Sequence, residues 1–302
     1  MKSLQEFLNP IFFIFNHPLN RGARIKSLFK FLSWQLLTTF GNFSLKFNWV
    51  GDAVLLIKKG ESGLTGNFYV GLMEFEDMSF LLHTLQEDTI FIDVGANMGA
   101  YTVLSSKVCG SKTFAFEPVP SSYKRLIDQI QLNKVDNLVT AKNIGLGQKK
   151  GFLKFTNNLN AMNRVAFEEN ETNTILVKVS QLDEEIQLDK RVFLKIDVEG
   201  YEYDVLMGAK NLLESESLIG IILELNDCGL TYGHTKNDIH NLLIQYNLMP
   251  IRYNPFTREI RPLNGFNNAG GNTIYIKEIE RMCELATFSP VRTIHSANGI
   301  KL

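Results

Sequence analysis

The sequence predicts an α/β protein: a doubly wound, Rossmann-like and mostly parallel sheet, preceded by an N-terminal cap of helices and strands. Three observations lead there. From about residue 88, short β-branched or aromatic runs alternate with runs of helical spacing. A glycine-containing loop, Asp93-Val-Gly-Ala-Asn-Met-Gly99, follows the first of these runs and opens a helix. Two late runs, Pro250 to Tyr253 and Asn272 to Ile276, break the rhythm and read as a terminal antiparallel pair.

Each element has a local reason. Thr89 to Val94 is a near-continuous apolar run, the pattern of a strand buried on both faces, and Met98 to Lys107 reads as the helix after it. Lys112 to Phe116 is a second strand. Ser121 to Asn133 reads as a helix, with Ser121 or Ser122 as N-cap and Tyr123, Leu126, Ile127 and Ile130 on one face. Leu138 to Ile144 and Val192 to Ile196 are the third and fourth strands. Tyr201 to Leu213 is a helix that turns Val205, Leu206, Ala209, Leu212 and Leu213 inward, and Leu218 to Leu225 is the fifth strand. Gly151 to Thr156 and Ile175 to Val179 read as two extra strands around a polar loop, residues 157–174. The expected division is an amphipathic extension and cap over 1–87, a ligand-binding domain over 88–280 and a tail over 281–302.

Composition bounds the function. The chain has 302 residues, 45% apolar and 21% charged, which is the range of a globular protein and not of a disordered one. Lys plus Arg is 31 and Asp plus Glu is 32, a net charge of −1, so nucleic-acid binding by bulk positive charge is not expected. Three cysteines without a Cys-x-x-Cys pair favour a reducing, cytoplasmic compartment. The longest early apolar run, Ile11 to Phe15, is too short for a signal core or a membrane span.

The charge is unevenly spread. Residues 1–51 hold Lys2, Arg21, Arg24, Lys26, Lys30 and Lys46 against the single acid Glu6, so this stretch is +5 and the remainder −6. Within it Ile25, Leu28, Phe29, Leu32 and Leu36 follow helical spacing, and Trp34 and Leu37 widen the stripe. Such a helix either packs its stripe on the body of the protein or on a second copy, or lies on an anionic membrane surface through residues 1–40. Ordinary packing is the commoner fate and is the expectation here.

The loop after the first strand carries the chemistry. Gly95 permits a sharp turn with room for a ligand, and Gly99 permits close helix–strand contact. A dinucleotide fingerprint requires Gly-x-Gly-x-x-Gly to admit a pyrophosphate, but Asn97 and Ala100 occupy its third and sixth positions. Asp93 instead places an acid just before the loop, which suits a ligand bearing a cationic amino group and no phosphate, as S-adenosylmethionine does. Glu117 ends the second strand, where a carboxylate can accept the ribose hydroxyls of any adenosine cofactor. It therefore supports a nucleoside without choosing between S-adenosylmethionine and a nicotinamide dinucleotide.

Three stretches then carry a family resemblance: Phe91-Ile-Asp-Val-Gly-Ala-Asn-Met-Gly-Ala-Tyr-Thr102, Ala115-Phe-Glu-Pro-Val-Pro120 and Leu194-Lys-Ile-Asp-Val-Glu-Gly-Tyr-Glu202. Together with Asn67 to Asp77, Asn143 to Gly147, Leu223 to Asn226 and Gly271 to Ile276, they resemble the FkbM-type S-adenosylmethionine-dependent methyltransferases over about residues 60–277. The first 50 residues are similar to the N-terminal extension of one bacterial subgroup. The resemblance implies a class I methyltransferase sheet of seven strands with the seventh antiparallel, and O-methylation of a hydroxyl on a sugar, a glycoconjugate or a secondary metabolite. On this reading Asp93, Gly95, Ala96, Asn97, Gly99 and Tyr101 hold the methionine part, and Asp197 also contacts the cofactor. Glu117 holds the ribose, and Asn143 to Gly145 the adenine edge.

A second acidic site ends the fourth strand. Lys195, Asp197 and Glu199 lie two apart and share one face if the strand continues that far. Asp197 can accept the hydroxyl proton or hold the acceptor. Glu199 either joins it or caps the helix that starts near Gly200. Asp197, Glu224, Asn226 and Asp227 offer hard oxygens to Mg²⁺, but their spacing is not diagnostic and the metal is not favoured. His234, in a flexible loop after the fifth strand, is the remaining candidate base. Residues 60–77 and 226–236 are expected to close the acceptor side. The rival readings are a nicotinamide-dependent oxidoreductase and a non-catalytic methyltransferase-like binding module.

Overall fold

The computed structural model describes residues 4–41, 43–157, 163–167, 171–187, 189–269 and 271–302. Parts of the expected polar loop, residues 158–162 and 168–170, lie outside the described residues. The chain opens with helix α1 (Leu4–Asn16), a short turn (Pro18–Asn20), α2 (Arg24–Thr39), the hairpin β1 (Ser44–Asn48) and β2 (Val54–Lys58), α3 (Ser62–Val70) and α4 (Phe75–Thr84). Next come β3 (Ile90–Val94), α5 (Ala100–Val103), β4 (Lys112–Phe116), α6 (Pro120–Asn133), β5 (Val139–Lys142), β6 (Gly145–Leu146), β7 (Gly151–Thr156), β8 (Thr174–Ser180) and α7 (Leu182–Glu185). The rest is β9 (Val192–Ile196), α8 (Glu202–Met207), α9 (Lys210–Glu214), β10 (Leu218–Glu224), α10 (Lys236–Gln245), β11 (Met249–Asn254), β12 (Glu259–Pro262), β13 (Asn272–Ile276), α11 (Ile279–Phe288), β14 (Thr293–Ile294) and β15 (Ile300–Lys301).

The main sheet has eight strands in the order β12-β11-β13-β10-β9-β3-β4-β5. The run from β10 to β5 is parallel throughout, whereas β13 is antiparallel to both β10 and β11. This is the class I methyltransferase arrangement of seven strands, extended by one. The added edge strand, β12, pairs antiparallel with β11. Its Glu-Ile-Arg-Pro sequence buries only Ile260, too little pattern to read as a strand, and Pro262 is tolerated because it is on an edge. The extra strands at 151–156 and 174–180 form a separate small sheet, β6-β8-β7.

Alternate side chains of the sheet feed two cores. Phe91, Phe193 and Ile222 join one that also takes Ile14, Trp34 and Trp49 from the cap and Met282 and Leu302 from the C-terminal segment. The cap, the sheet and the tail therefore share one continuous core. Ile92, Leu194 and Ile221 face the other way, against Val205, Leu206 and Leu243. The cap is also fastened by polar groups: Gln129 and Asn133 of α6 each accept from and donate to the backbone of β2, at Leu56 and Val54. Arg125 adds a buried ion pair with Glu61, the residue just ahead of α3.

Several local expectations change. The helix after β3 converts to a π-helical turn over Leu104–Val108, where the Ser105 and Ser106 hydroxyls both donate to the Thr102 carbonyl and compete with the regular ladder. Helix α6 starts at Pro120 behind Val119, so neither Ser121 nor Ser122 is its N-cap, and proline takes the first position, where no N–H is needed. The helix expected over 201–213 breaks at Gly208 into α8 and α9, with its five inward residues buried as expected.

The largest change is in α2. The stripe Ile25, Phe29, Leu32 and Leu36 faces solvent, with Ile25 84% and Phe29 71% exposed. Ser27, Phe31, Trp34 and Thr38 are buried instead. The helix has two apolar faces, and the face with the larger rings meets α3: Phe31 packs on Tyr69 and Trp34 on Phe68, at ring-centroid distances of 5.2 and 5.9 Å. Of the expected stripe, Leu28 and Trp34 pack on the body of the protein, whereas Ile25, Phe29, Leu32, Leu36 and Leu37 stay exposed.

Candidate active site

In an open α/β sheet, ligands bind where successive connections leave in opposite directions. Here that point lies between β3, whose chain proceeds to β4, and its neighbour β9, whose chain proceeds to β10. The loop after β3 closes tightly on β9. Gly95 has φ +77°, and a Cβ there would stand 1.9 Å from the Asp197 carbonyl oxygen. Gly99 has φ +91°, and its Cβ would meet Leu126 Cδ1 at 2.7 Å. Each therefore needs glycine for both backbone conformation and space. The amides of Gly95 and Ala96 donate to the Phe116 carbonyl, which ties the loop to the end of β4.

Two buried carboxylates flank this loop. Asp93 Oδ2 accepts from the Thr102 hydroxyl at 2.7 Å, while Oδ1 has no protein partner. Burial pushes Asp93 up from its ordinary value, and Lys195 opposes that shift. Glu117 Oε2 accepts from the Asn97 amide and Oε1 from the Val119 amide, both at 2.8 Å. Burial pushes Glu117 up to about 7, against the pull of those two backbone bonds. Asn97 itself has φ +48°, and its Oδ1 is buried without a partner. The cradle at Gly95 and the two unpartnered oxygens on Asp93 and Asn97 suit an ammonium-bearing ligand that supplies the missing donors.

A second network comes from the cap. Glu74, just before α4, accepts from the Tyr101 hydroxyl, and the Asn272 amide donates to both Glu74 and Asp77 at 3.0 Å. Burial raises Glu74 and pushes Asp77 up to about 8. Tyr101 is driven well up by burial and then by Glu74 and Asp77. Lys195, 3% exposed, sits 4.6 Å over the Tyr101 ring. Burial works against its ammonium, but Asp197, Asp93 and Glu74 outweigh that and raise it above its ordinary value. Glu74, Asp77, Asn272 and the central role of Lys195 were not legible as site chemistry. The sequence marks residues 60–77 only as a stretch closing the acceptor side; the fold places Asp77 in the first turn of α4, and Asn272 reaches it only through the sheet.

Asp197 follows β9 and pairs with Lys195 at 3.0 Å. The strand ends at Ile196, and Glu199 is reached through a turn in which it takes φ +55°. Asp197, Glu199 and Glu224 come together with carboxylate oxygens within 4.8 Å of one another. Burial, then Asp197 and Glu224, push Glu199 up to about 7. Helix α8 starts at Glu202 with Tyr201 as its N-cap and no side-chain cap bond, while Glu202 accepts the Val198 and Gly200 amides of the preceding turn, so Glu199 does not cap this helix. The three carboxylates are a hard-oxygen donor set of the kind a divalent cation takes. Asn226 and Asp227 are not in it: Asn226 bonds Glu224 and the Cys228 amide, and Asp227 pairs with Lys236.

Two expected residues stand elsewhere. His234 stacks on Tyr203 at 3.8 Å between ring centroids, away from the crevice lining. The Asn143 amide donates to the carbonyls of Glu117 and Pro118 and so ties β5 to β4; from the expected stretch 143–145, Ile144 and Gly145 line the slot beyond Glu117, with Leu146, Phe155 and Val198. A cavity of 430 Å³ opens beside the crevice and shares Gly63, Met73, Glu74, Asn97 and Asp197 with it. Residues 62–63 and 73–77 line it, as expected of the cap, but residues 226–236 do not. Arg252, Asn267 and Asn272 take that side.

The methyltransferase FkbM domain matches residues 93–245, from the buried acid of β3 to the end of α10. The chain belongs to the FkbM methyltransferase family. Its members are S-adenosylmethionine-dependent enzymes, and membership sets aside the nicotinamide reading. Over 179 residues the chain is 29% identical to the hexuronic acid methyltransferase AglP of Haloferax volcanii, covering 58% of this chain and 70% of that protein. Over another 179-residue alignment it is 30% identical to methyltransferase 1 of Beauveria bassiana, covering 51% and 71%. A solved methyltransferase FkbM from Methylobacillus flagellatus KT aligns with 17% identity and a TM-score of 0.44. That alignment covers 70% of this chain, which spans about half of the other (52%).

Proposed function

We propose that the protein transfers a methyl group from S-adenosylmethionine to a hydroxyl oxygen of a sugar, a glycoconjugate or a secondary metabolite. The observation that carries this is the position of Asp197, which lines both the cofactor crevice and the adjoining 430 Å³ cavity and is ion-paired with buried Lys195. A donor in one and an acceptor in the other meet at this carboxylate. The free oxygens of Asp93 and Asn97 take the methionine ammonium, Glu117 the ribose, and the slot at Ile144, Leu146 and Phe155 the adenine. The bound sulfonium supplies an activated methyl and a neutral thioether leaving group. Asp197 accepts the acceptor's hydroxyl proton as the new C–O bond forms and the C–S bond breaks, and later passes it to solvent. The main task of the loop and cap is placement within near-attack distance.

The acceptor cavity is lined by Glu74, Asp77, Asp197, Glu199 and Glu224, with Asn267 and Asn272, and its one guanidinium, Arg252, is already paired with Glu76. Carboxylates and amides suit a hydroxyl-rich ligand. They offer an anionic one no unengaged cation, so an uncharged polyol fits better than the hexuronic acid named for the Haloferax relative. Lys195 already partners Asp197, so the proton transfer assigned here does not call on Mg²⁺ at Glu199 and Glu224. Unpaired Cys109, Cys228 and Cys283 fit a reducing compartment, and among the described residues no helix is long and apolar enough to cross a membrane. The test is calorimetry with S-adenosylhomocysteine and with NAD⁺: the former binds and the latter does not. Binding of NAD⁺ alone would sink the reading.

A further inference from the structure

We propose that the outward face of α1 and α2 is a docking surface for an anionic lipid bilayer. Ile25, Phe29, Leu32, Leu36 and Phe40 are 44–84% exposed, and at about 100° per residue they fall within an arc of about 80°. That arc lies roughly opposite the face through which Phe31 and Trp34 reach the core. The stripe is therefore not a frayed part of the core but a second apolar face that none of the described residues covers. Phe12 (62% exposed) and Phe15 (42% exposed) of α1 add exposed rings, and Phe15 lies against Arg24 of α2. A continuous apolar surface with aromatic side chains marks an interaction site.

Charge selects the occupant. On the same helical projection Arg24 lies on one side of the stripe and Lys26 on the other, both exposed; Arg21, in the turn before α2, is exposed too, and Arg24 lies 4.6 Å over the Phe15 ring. Cations beside an apolar stripe are what an interfacial helix presents to anionic headgroups. Beside the stripe runs a 400 Å³ groove lined by Phe29, Leu37, Leu45 and Phe68, with Lys26 and Lys30 among its walls. Burial, and then Lys26, push the Lys30 ammonium down to about 8, a strain that an anion seated there would relieve. A second copy of this chain would set the same cations against one another, whereas a layer of anionic headgroups pairs with them.

The surface is also placed to serve the proposed reaction. Phe68, in the groove, and Ser62 and Gly63, in the acceptor cavity, are on the one helix α3, with Ser62 and Phe68 roughly 9 Å apart along its axis. Docking would hold the acceptor cavity close to a membrane, within reach of acceptors carried there. The docking itself does not depend on which acceptor is methylated.

The experiment is flotation of the full chain with vesicles of phosphatidylcholine alone, and of phosphatidylcholine and phosphatidylglycerol in equal parts. The protein is expected to float with the anionic vesicles only, and to be released by high salt. Ile25→Glu with Phe29→Glu should reduce that partitioning by about tenfold or more. Arg21→Gln with Arg24→Gln should reduce it by about fivefold for each cation lost. S-adenosylhomocysteine affinity should be unchanged in both variants, because none of the four positions lines the crevice, and melting temperature should change little, the arginine pair losing only the exposed contact of Arg24 with Phe15. Failure to float with anionic vesicles at low salt would overturn the proposal, as would equal flotation with both compositions. A dimer, seen by light scattering and dissociated by the apolar double variant, would also overturn it and assign the face to a second copy.

Discussion

Glu117 is where cofactor binding and local folding can be separated by one substitution. Its carboxylate accepts the Asn97 and Val119 amides, one on each oxygen, and is 5% exposed. Glu117→Gln keeps the shape but leaves one acceptor oxygen, and turns an NH₂ toward the other amide. One buried N–H then loses its partner, which costs roughly 1–3 kcal/mol of stability. A hydrogen bond from a ribose hydroxyl to the charged carboxylate contributes about 1.5–3 kcal/mol, so its loss weakens S-adenosylhomocysteine binding by about tenfold to a hundredfold. Calorimetric titration gives the affinity, and urea denaturation without ligand gives the stability. Both are expected to fall. Lost stability with unchanged affinity would remove Glu117 from the ribose site, and no change in either would refute the whole reading of this carboxylate.

Lys195→Met removes a buried ammonium shared by Asp197, Asp93 and Glu74; breaking a buried ion pair this way typically costs about 3–5 kcal/mol, and denaturation at neutral pH should show a loss of that order, smaller in acid as the carboxylates take up protons. The pH dependence of the cofactor-free protein follows from its raised acids: Glu117, Glu199 and Glu202 are pushed up to about 7 and Asp77 to about 8, each mainly by burial. With folded values above the ordinary 4.5 and 3.8, these groups bind more protons folded than unfolded between those values, so their contribution is fully present below about pH 4 and is lost progressively as pH rises from there through about 7 to 8. Urea midpoints across that window should fall with rising pH, and a flat or rising series would contradict the burial assigned to them. Cofactor binding favours ionised Glu117, so titrations near pH 7 in buffers of different ionisation enthalpy should detect proton release.

The sheet was legible because its central strands are buried on both faces and announce themselves as apolar runs; Lys112–Phe116 and Val192–Ile196 have the bounds the sequence predicts. The loop was legible because Gly95 and Gly99 perform tasks that other residues cannot. Asp93, Glu117 and Asp197 converge because all three lie at the carboxyl ends of adjacent strands. What escaped depends on contacts distant in sequence. Helical spacing shows that α2 has apolar faces but not which of them meets α3. Glu74 reaches Tyr101 and Asn272 across the fold, and no local pattern separates it from a surface acid. His234 has a suitable position in the chain but a stacking partner, Tyr203, that turns its ring to another use.

The most direct test of the proposed chemistry is turnover of Asp197→Asn, measured as S-adenosylhomocysteine formation with a panel of neutral glycosides, with and without chelator. Asparagine preserves the side-chain shape and still offers an oxygen to Lys195, but it cannot take a proton. General-base assistance contributes about 10²–10⁴-fold, so turnover should fall by that factor while S-adenosylhomocysteine affinity changes little and chelator has no effect on the wild type. Near-normal turnover in Asp197→Asn, with and without chelator, would contradict the account.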